Sequence, residues 1–246
     1  MGKKYFTLSF DDGLEQDKRV IRLMRQYGLK GTFNLNAGLF GTRGEVKGLG
    51  TFSFQDCPEG VKHKWPFSYV QHNRIPQDEV RQVYEGMEIA THGFRHEPLG
   101  AVSEDKMRAS VDADKAALEK IFGTTVVGHA YAQGSTSPAA QAYLKAQGYQ
   151  YARGVFPSGG FAFPEDPMNF RPSSSLILKN AVKLVERFKC EEPGEKDLLL
   201  FLWAHSYEMD YDKGNASWYA LERLFESIAG RSDIVYCTNS EAFAHI

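Results

Sequence analysis

The stretch Tyr5-Phe6-Thr7-Leu8-Ser9-Phe10 leads into Asp11-Asp12-Gly13 and carries the strongest fold signal in the sequence. Aromatic and aliphatic side chains dominate its first six residues, which predicts a strand. Gly13 marks a turn directly after two carboxylates. Both carboxylates can therefore face one pocket at the end of the strand. The alternative is a solvated turn, or an N-cap for a following helix.

Strand and helix patterns alternate along the rest of the chain. Apolar residues at helical spacing before Gly28 predict a helix over about 15–27, and similar patterns predict helices over about 103–123, 137–148 and 218–229 and a short one capped by Ser240. Strands are predicted at 5–10, 32–36, 87–91, 124–127, 149–152, 198–204 and 234–238. Such alternation indicates an α/β fold with a parallel sheet, and closure into a barrel is natural at 246 residues.

The composition is that of an ordinary globular protein and excludes several partner classes. There are 29 basic and 31 acidic residues, and no block of like charge suggests nucleic acid or an anionic membrane as a partner. No apolar run reaches the roughly 18 residues of a membrane span. Three widely separated cysteines favour neither a zinc finger nor a disulfide framework. We expect a single domain over 1–246 in the cytoplasm, with the oligomeric state left open.

Two long segments interrupt the alternation of strands and helices. Residues 38–76 are rich in glycine and then in aromatic residues, and residues 155–180 contain several prolines. Long loops inside a compact domain are usually functional or disordered, and aromatic residues argue against disorder. We expect residues 38–76 to form a lid over the mouth of the barrel that presents Trp65, Phe67 or Tyr69 to a ligand.

Histidines follow two further predicted strands. His92 and His96 come directly after the strand at 87–91, and two histidines four apart can share a metal if the segment turns like a helix. His205 ends the strand at 198–204, and Glu208 lies near enough in sequence to orient it. Each histidine alone could be a satisfied surface or capping residue.

The joint pattern is more informative than any single residue. In a barrel the C-terminal ends of the strands converge, which brings Asp12, His92 and His96 together. One carboxylate and two imidazoles suit a divalent metal that keeps open positions for water. Asp11 and His205 are then left as a base and an acid.

In these motifs the chain resembles the polysaccharide deacetylases, the carbohydrate esterases that include the nodulation-factor (chitooligosaccharide) deacetylases. Residues 9–13 match Thr-Phe-Asp-Asp-Gly with Ser9 in first place, and Thr32-Phe33-Asn34 resembles the following Thr-Phe-Phe strand. His92 and His96 match His-(Ser/Thr)-x-x-His, with Gly93 in place of the hydroxyl residue that orders the loop. The final Leu-x-His motif matches loosely before His205.

The resemblance implies a distorted seven-stranded (β/α) barrel and the removal of an acetyl group from an N-acetylated sugar. It makes Asp11 the general base, Asp12, His92 and His96 the ligands of one divalent ion, and His205 the general acid. Zinc is the expected metal, with cobalt, nickel or manganese as alternatives. The expected partner is an acetylated carbohydrate.

One family motif is altered in this sequence. Arg-Pro-Pro-Tyr-Gly corresponds to residues 130–134, which lack the arginine that orients the base. The main-chain N–H of Gln133 can still serve the oxyanion, with Tyr131 beside it on the substrate side. Arg153 ends the next predicted strand, so we expect its guanidinium to reach Asp11 in place of the absent arginine. A surface ion pair is the alternative for Arg153, and Glu208 is expected to tune His205.

Three other functions are compatible with the same motifs. The fold also accommodates hydrolysis of a cyclic amide or ureide and hydrolysis of an O-acetyl ester. The altered motif makes a carbohydrate-binding pseudoenzyme the alternative from a different class. Metal content separates a pseudoenzyme from the enzymes, and acetate release separates deacetylation from ring opening.

Overall fold

The computed structural model describes residues 2–47 and 69–244, in which short helices and strands alternate. The strands are β1 (Lys4–Asp11), β2 (Gly31–Leu35), β3 (Glu45–Lys47), β4 (Tyr69–Gln71), β5 (Glu88–Thr91), β6 (Gly128–Ala130), β7 (Tyr151–Arg153), β8 (Ser174–Ser175), β9 (Leu198–His205) and β10 (Ile234–Tyr236). The helices are α1 (Asp17–Gln26), α2 (Gln77–Val83), α3 (Glu104–Phe122), α4 (Pro138–Ala146), α5 (Ala181–Cys190), α6 (Trp218–Ile228) and α7 (Asn239–Phe243).

Eight strands form one parallel sheet in the order β7-β6-β5-β2-β1-β9-β8, with β10 also paired to β1. Seven strands thus follow one another around a distorted (β/α) barrel, which confirms the predicted fold class. Strands β3 and β4 form a separate antiparallel ribbon. The segment 170–175 reaches from β7, where Arg153 bridges Phe170, to β9, where Ser174 pairs with Leu202.

The alternation of side chains in β1 explains why this strand lies at the centre of the sheet. Phe6, Leu8 and Phe10 point outward into the large apolar core beneath the helices, and all three are fully buried. Burial of each such side chain stabilises the fold by roughly 1.5–3 kcal/mol. The alternate residues point into the barrel because neighbours on a strand face opposite ways. Asp11 therefore ends an inward-facing row.

Aromatic side chains fill the N-terminal end of the barrel. Tyr151 and Phe243 stack with their ring centres 5.0 Å apart, and Phe170 and Phe201 pack edge to face. Phe243 belongs to α7, so this short C-terminal helix closes the end of the barrel opposite to the carboxyl ends of the strands. The open, polar end is therefore the one at which Asp11 and His205 emerge.

The structure corrects some of the sequence-based boundaries. The strand predicted at 124–127 lies at β6 instead, and the last helix is capped by Thr238 rather than by Ser240. Helices α2 and α5 were not predicted, and residues 38–76 include the β3–β4 ribbon as well as loop. Ser103 and Ser137 do cap α3 and α4, as predicted. Among the helices of the described residues, none has both the length and the apolar character that crossing a bilayer requires.

Candidate metal-dependent hydrolase site

Strand register brings three of the predicted site residues to one level of the barrel. Asp11 is paired with His205 of β9 and with Asn34 of β2. Arg153 is the last residue of β7, and its side chain crosses the barrel to Asp11. Strands β1, β7 and β9 run parallel, so their carboxyl ends bring these three side chains to the same mouth of the barrel.

Asp12, His92 and His96 lie together at this mouth. Their ligand atoms are all within 4.8 Å of one another. Asp12 Oδ1 is 3.9 Å from the Nε2 atoms of both histidines. Ligand atoms around one ion at bond lengths of about 2.1 Å lie roughly 3–3.5 Å apart, so a small inward movement would close the set. Asp12 (φ 82°) and His96 (φ 61°) both adopt left-handed backbone conformations, which cost energy for residues other than glycine and cluster at functional sites.

His92 is held in the tautomer that a metal ligand needs. Its Nδ1 lies 2.7 Å from the carbonyl oxygen of Ala130. A carbonyl only accepts, so Nδ1 carries the proton and Nε2 presents a lone pair. Nε2 is buried, has no hydrogen-bond partner among the described residues, and faces Asp12 Oδ1 and Asp11 Oδ2.

The segment 92–97 forms a non-helical turn, not the helical turn that the histidine spacing suggested. Residues from neighbouring elements hold it in place. Gly93 has φ 82°, and a Cβ there would meet the backbone nitrogen of Glu97 at 3.2 Å. Asp114 of α3 accepts hydrogen bonds from the main-chain N–H groups of His92 (3.1 Å) and Ala37 (2.8 Å). Asn36 donates to the carbonyl oxygens of His92 and Gly93. These contacts order the turn in the absence of the family's hydroxyl residue.

Asp11 is a buried carboxylate with two donors on the same oxygen. Arg153 Nη2 and Asn34 Nδ2 (2.8 Å) both donate to Oδ1. The other oxygen, Oδ2, points toward His92, whose Nε2 lies 4.0 Å away. Burial disfavours the charge, but Arg153 and then the two nearby histidines outweigh it, so the pKa of Asp11 lies below its ordinary value. The carboxylate is therefore ionised at neutral pH.

His205, the partner of Asp11 on the neighbouring strand β9, lines the same cavity as Asp11. Glu208 Oε2 accepts a hydrogen bond from the main-chain N–H of His205 (2.9 Å), and Oε1 lies 3.6 Å from Nδ1. Burial lowers the pKa of His205, but the carboxylate of Glu208 outweighs it and raises the pKa to about 9. The imidazolium form is therefore favoured at neutral pH, which is the form a proton donor needs.

A cavity of about 470 Å³ connects these groups. Asp11, His92, His96 and His205 line it, together with Glu208, Tyr131 and Gln133. The remaining wall is largely apolar and comes mainly from the segment 155–178, through Val155, Phe156, Pro157, Ile177 and Leu178, with Trp203 of β9.

The sequence profile of the family described as polysaccharide deacetylase matches residues 1–152. This is well over half of the 246 residues. The chain belongs to the polysaccharide deacetylase family. The match includes Asp11, Asp12, His92 and His96 and ends one residue before Arg153. No curated protein sequence matches the chain significantly.

Solved structures with the same fold come from distant relatives. A family 4 acetyl xylan esterase from Clostridium thermocellum, in complex with a cobalt ion, is 17% identical, with TM-score 0.55 over 98% of this chain and 91% of that one. A Mycobacterium smegmatis protein assigned to the polysaccharide deacetylases is 15% identical, with TM-score 0.60 over 100% and 90%. A pseudoenzyme of carbohydrate esterase family 4 from Bacillus anthracis is 12% identical, with TM-score 0.58 over 98% and 66%.

The site departs from the family motif at the arginine. Residues 130–134 contain none, and the guanidinium that contacts Asp11 is that of Arg153 from the next strand. Its side chain is 1% exposed, so it is not the surface ion pair that the sequence also allowed. Gln133 adopts φ 57° in the turn after β6 and lines the cavity, as does Tyr131, whose hydroxyl donates to the carbonyl oxygen of Met168.

The predicted aromatic lid can be followed only at its two ends. Trp65 and Phe67 lie outside the described residues. Tyr69 belongs to β4, which pairs with β3 and packs beside the short helical segment after His205. The ribbon thus stands at the mouth of the barrel.

Among the described residues, sequence reasoning missed three whose side chains contact the two carboxylates of the predicted site. Asn34 contacts Asp11, and His72 and Arg74 contact Asp12. Asn34 could have been singled out from the sequence, because an amide side chain in a buried strand needs a hydrogen-bond partner. Nothing in the sequence singles out His72 and Arg74, because they lie in a segment that was interpreted only as a loop.

The residues present fit the divalent ion on which the family's chemistry depends. His92 offers a buried, fixed lone pair, and burial, the largest cause, lowers the pKa of His96 to about 4, which keeps His96 neutral. Burial would raise the pKa of Asp12, but the hydrogen bond from His72 and nearby positive charges hold it well below its ordinary value. Two neutral imidazoles and one carboxylate suit zinc, cobalt, nickel or manganese.

Proposed function

We propose that this member of the family is a hydrolase dependent on one divalent metal ion, and that it removes the N-acetyl group from an amino sugar or a short oligosaccharide. The observation that supports it most directly is the Nε2 atom of His92, which has no hydrogen bond to any described residue and faces Asp12 and Asp11 in a cavity shared with His205. Asp12, His92 and His96 would hold the ion.

The side chains around that set have complementary protonation states. A bound ion would polarise the acetyl carbonyl and lower the pKa of water. Asp11, ionised and directed by Arg153, takes the proton of the attacking water. His205, protonated beside Glu208, gives a proton to the leaving amine. The acetyl carbon thus gains the water oxygen, the carbon–nitrogen bond breaks, and acetate and a free amine leave.

The cavity wall provides the remaining functions. The main-chain N–H of Gln133 would donate to the oxygen of the tetrahedral intermediate. The carbonyl oxygen of Tyr131 accepts a hydrogen bond from the N–H of Gly134 (2.8 Å) and so helps to hold this turn. The apolar side chains of residues 155–178 would contact the acetyl methyl group and the apolar face of a sugar ring.

A substrate panel with separate readouts tests this function. The zinc-loaded protein is incubated with N-acetylated chitooligosaccharides, an O-acetylated xylooligosaccharide and a cyclic ureide, and acetate and product masses are measured. Acetate with an equal amount of new amine from the N-acetylated sugars is expected, with a loss of about 10²–10⁴-fold in Asp11→Asn. Acetate from the ester alone, ring opening without acetate, or metal binding without turnover would each replace the proposal by another function.

A further inference from the structure

The segment 72–75 folds back onto the turn that carries Asp12. Its backbone pairs with residues 13–15: the N–H of Ile75 donates to the Gly13 carbonyl (3.0 Å), and that of Glu15 donates to the Asn73 carbonyl (2.9 Å). Arg74 and Leu14 form the bridge between them. The position of His72 beside Asp12 is therefore set by main-chain contacts and not by its side chain alone.

Both oxygens of Asp12 have partners in this segment. His72 Nε2 lies 3.0 Å from Oδ2, and Arg74 Nη2 donates to Oδ1 at 3.1 Å. Arg74 Nε also donates to the main-chain carbonyl of Asp12 at 3.2 Å. The side chains of His72 and Arg74 are only 14% and 11% exposed, so water competes little for these contacts.

The direction of the His72 hydrogen bond follows from its acceptor. Asp12 is ionised, and a carboxylate only accepts. Nε2 of His72 therefore carries a proton and donates it to Asp12 Oδ2 at 3.0 Å, while Nδ1 lies 3.5 Å from Arg74 Nη1. The ring of Tyr207, edge-on with its centre 5.0 Å away, fixes the plane of the imidazole.

We propose that His72 is a positioning residue for the metal-binding carboxylate, an inference that rests on the proposed function. By bonding to Oδ2, His72 fixes the carboxylate so that Oδ1, which also accepts from Arg74, is directed at the Nε2 atoms of His92 and His96, both 3.9 Å away. Hydrogen bonds to a ligating carboxylate fix its orientation before the ion arrives. His72 itself stays outside the ligand set.

The backbone conformation of Asp12 makes such a clamp necessary. At φ 82° an aspartate is strained, and the free turn would relax toward conformations that point the carboxylate elsewhere. His72 and the paired backbone hold the strained form. Arg74 contributes to the same hold, but its charge also repels a cation, so its replacement has two opposing effects. His72 makes one hydrogen bond to Asp12, through its side chain, and is the simpler position to test.

The zinc affinity of the full 246-residue chain measures the proposed role. His72→Leu removes the donor, His72→Gln restores an N–H donor of similar reach, and Asn73→Ala is the matched control, because its side chain bonds to Gln71 and Gly44 and not to Asp12. Competition with a chromophoric chelator gives the Kd, and thermal unfolding of the metal-free proteins verifies folding. X-ray absorption of the zinc-loaded proteins counts the imidazole ligands.

We expect His72→Leu to bind zinc 10–100-fold more weakly, as for other partners of metal ligands, with His72→Gln and Asn73→Ala close to wild type. Two imidazoles are expected in both wild type and His72→Leu. Wild-type affinity in His72→Leu, or three imidazoles in the wild type, would overturn the positioning role and leave the proposed function standing. A wild-type protein without zinc affinity would overturn both.

Discussion

At the scale of single residues, the buried pair of Asp11 and Arg153 governs the protonation of the proposed base. Both side chains are 1% exposed. Removing one partner of such a pair leaves an unpaired buried charge, which the protein avoids by shifting a pKa. Arg153 is also stacked on the ring of Trp203, with its guanidinium carbon 4.8 Å from the ring centre, so its direction is fixed.

Arg153→Met should therefore raise the pKa of Asp11. A base works in its ionised form, so the acidic limb of the kcat/KM profile should move to higher pH, and activity at neutral pH should fall roughly 100-fold. The pH profile of acetate release checks this, with the half-exposed Arg187→Met as a control. An acidic limb at its wild-type position would exclude Arg153 as the partner of the base.

Glu208→Gln should change the opposite limb of the same profile. The Glu208 carboxylate raises the pKa of His205 to about 9, so the proton donor is present below that pH and lost above it. Without the carboxylate charge, the alkaline limb should move down by about one pH unit. If the alkaline limb stays where it is in the wild type, His205 is not the group that controls it.

At the scale of elements, the turn 92–97 explains why a glycine stands where relatives carry a hydroxyl residue. Gly93 has φ 82° and a close neighbour at Glu97, whereas Gly86 has φ 78° and open space around it. A side chain at either position would carry the cost of a left-handed backbone conformation. Only a side chain at Gly93 would also meet a close neighbour.

Gly93→Ser should destabilise the metal-free protein more than Gly86→Ser does. Each change should cost about 1 kcal/mol for the left-handed backbone, and the contact at Gly93 should add to it. Only Gly93→Ser should also weaken zinc binding, because His92 and His96 lie on either side of it. Thermal unfolding and zinc titration of both variants test this; equal effects in the two would show that the turn tolerates the hydroxyl.

Among the described residues, the segment 155–178 forms most of the apolar wall of the cavity. Phe156 is 69% exposed at the cavity, so its removal should hardly affect stability. Phe156→Ala should raise KM about fivefold, equivalent to about 1 kcal/mol of lost contact, with kcat unchanged. Tyr219→Ala, at a 76% exposed aromatic on α6, is the control. An unchanged KM would mean that the substrate does not reach this wall.

At the scale of the whole molecule, local periodicity predicts the parallel sheet and the strand-end residues, whereas the distorted seven-stranded barrel is what the family resemblance implied. Asp11, His92 and His205 each follow an apolar strand, and parallel strands deliver their ends to one mouth. The contacts of His72 and Asp114 could not be predicted, because each depends on which loop or helix folds back onto the barrel. The single-domain organisation and the cytoplasmic location stay predictions.

The most direct measurement of the central claim is acetate release from an N-acetylated chitooligosaccharide as a function of bound zinc. Chelated wild-type protein should release essentially none, and activity should return in proportion to zinc and saturate at one ion per chain. His92→Ala, which removes the fixed lone pair of the ligand set, should not be restored by the same zinc concentration. Acetate release that is independent of zinc, or equal in His92→Ala, would contradict the account.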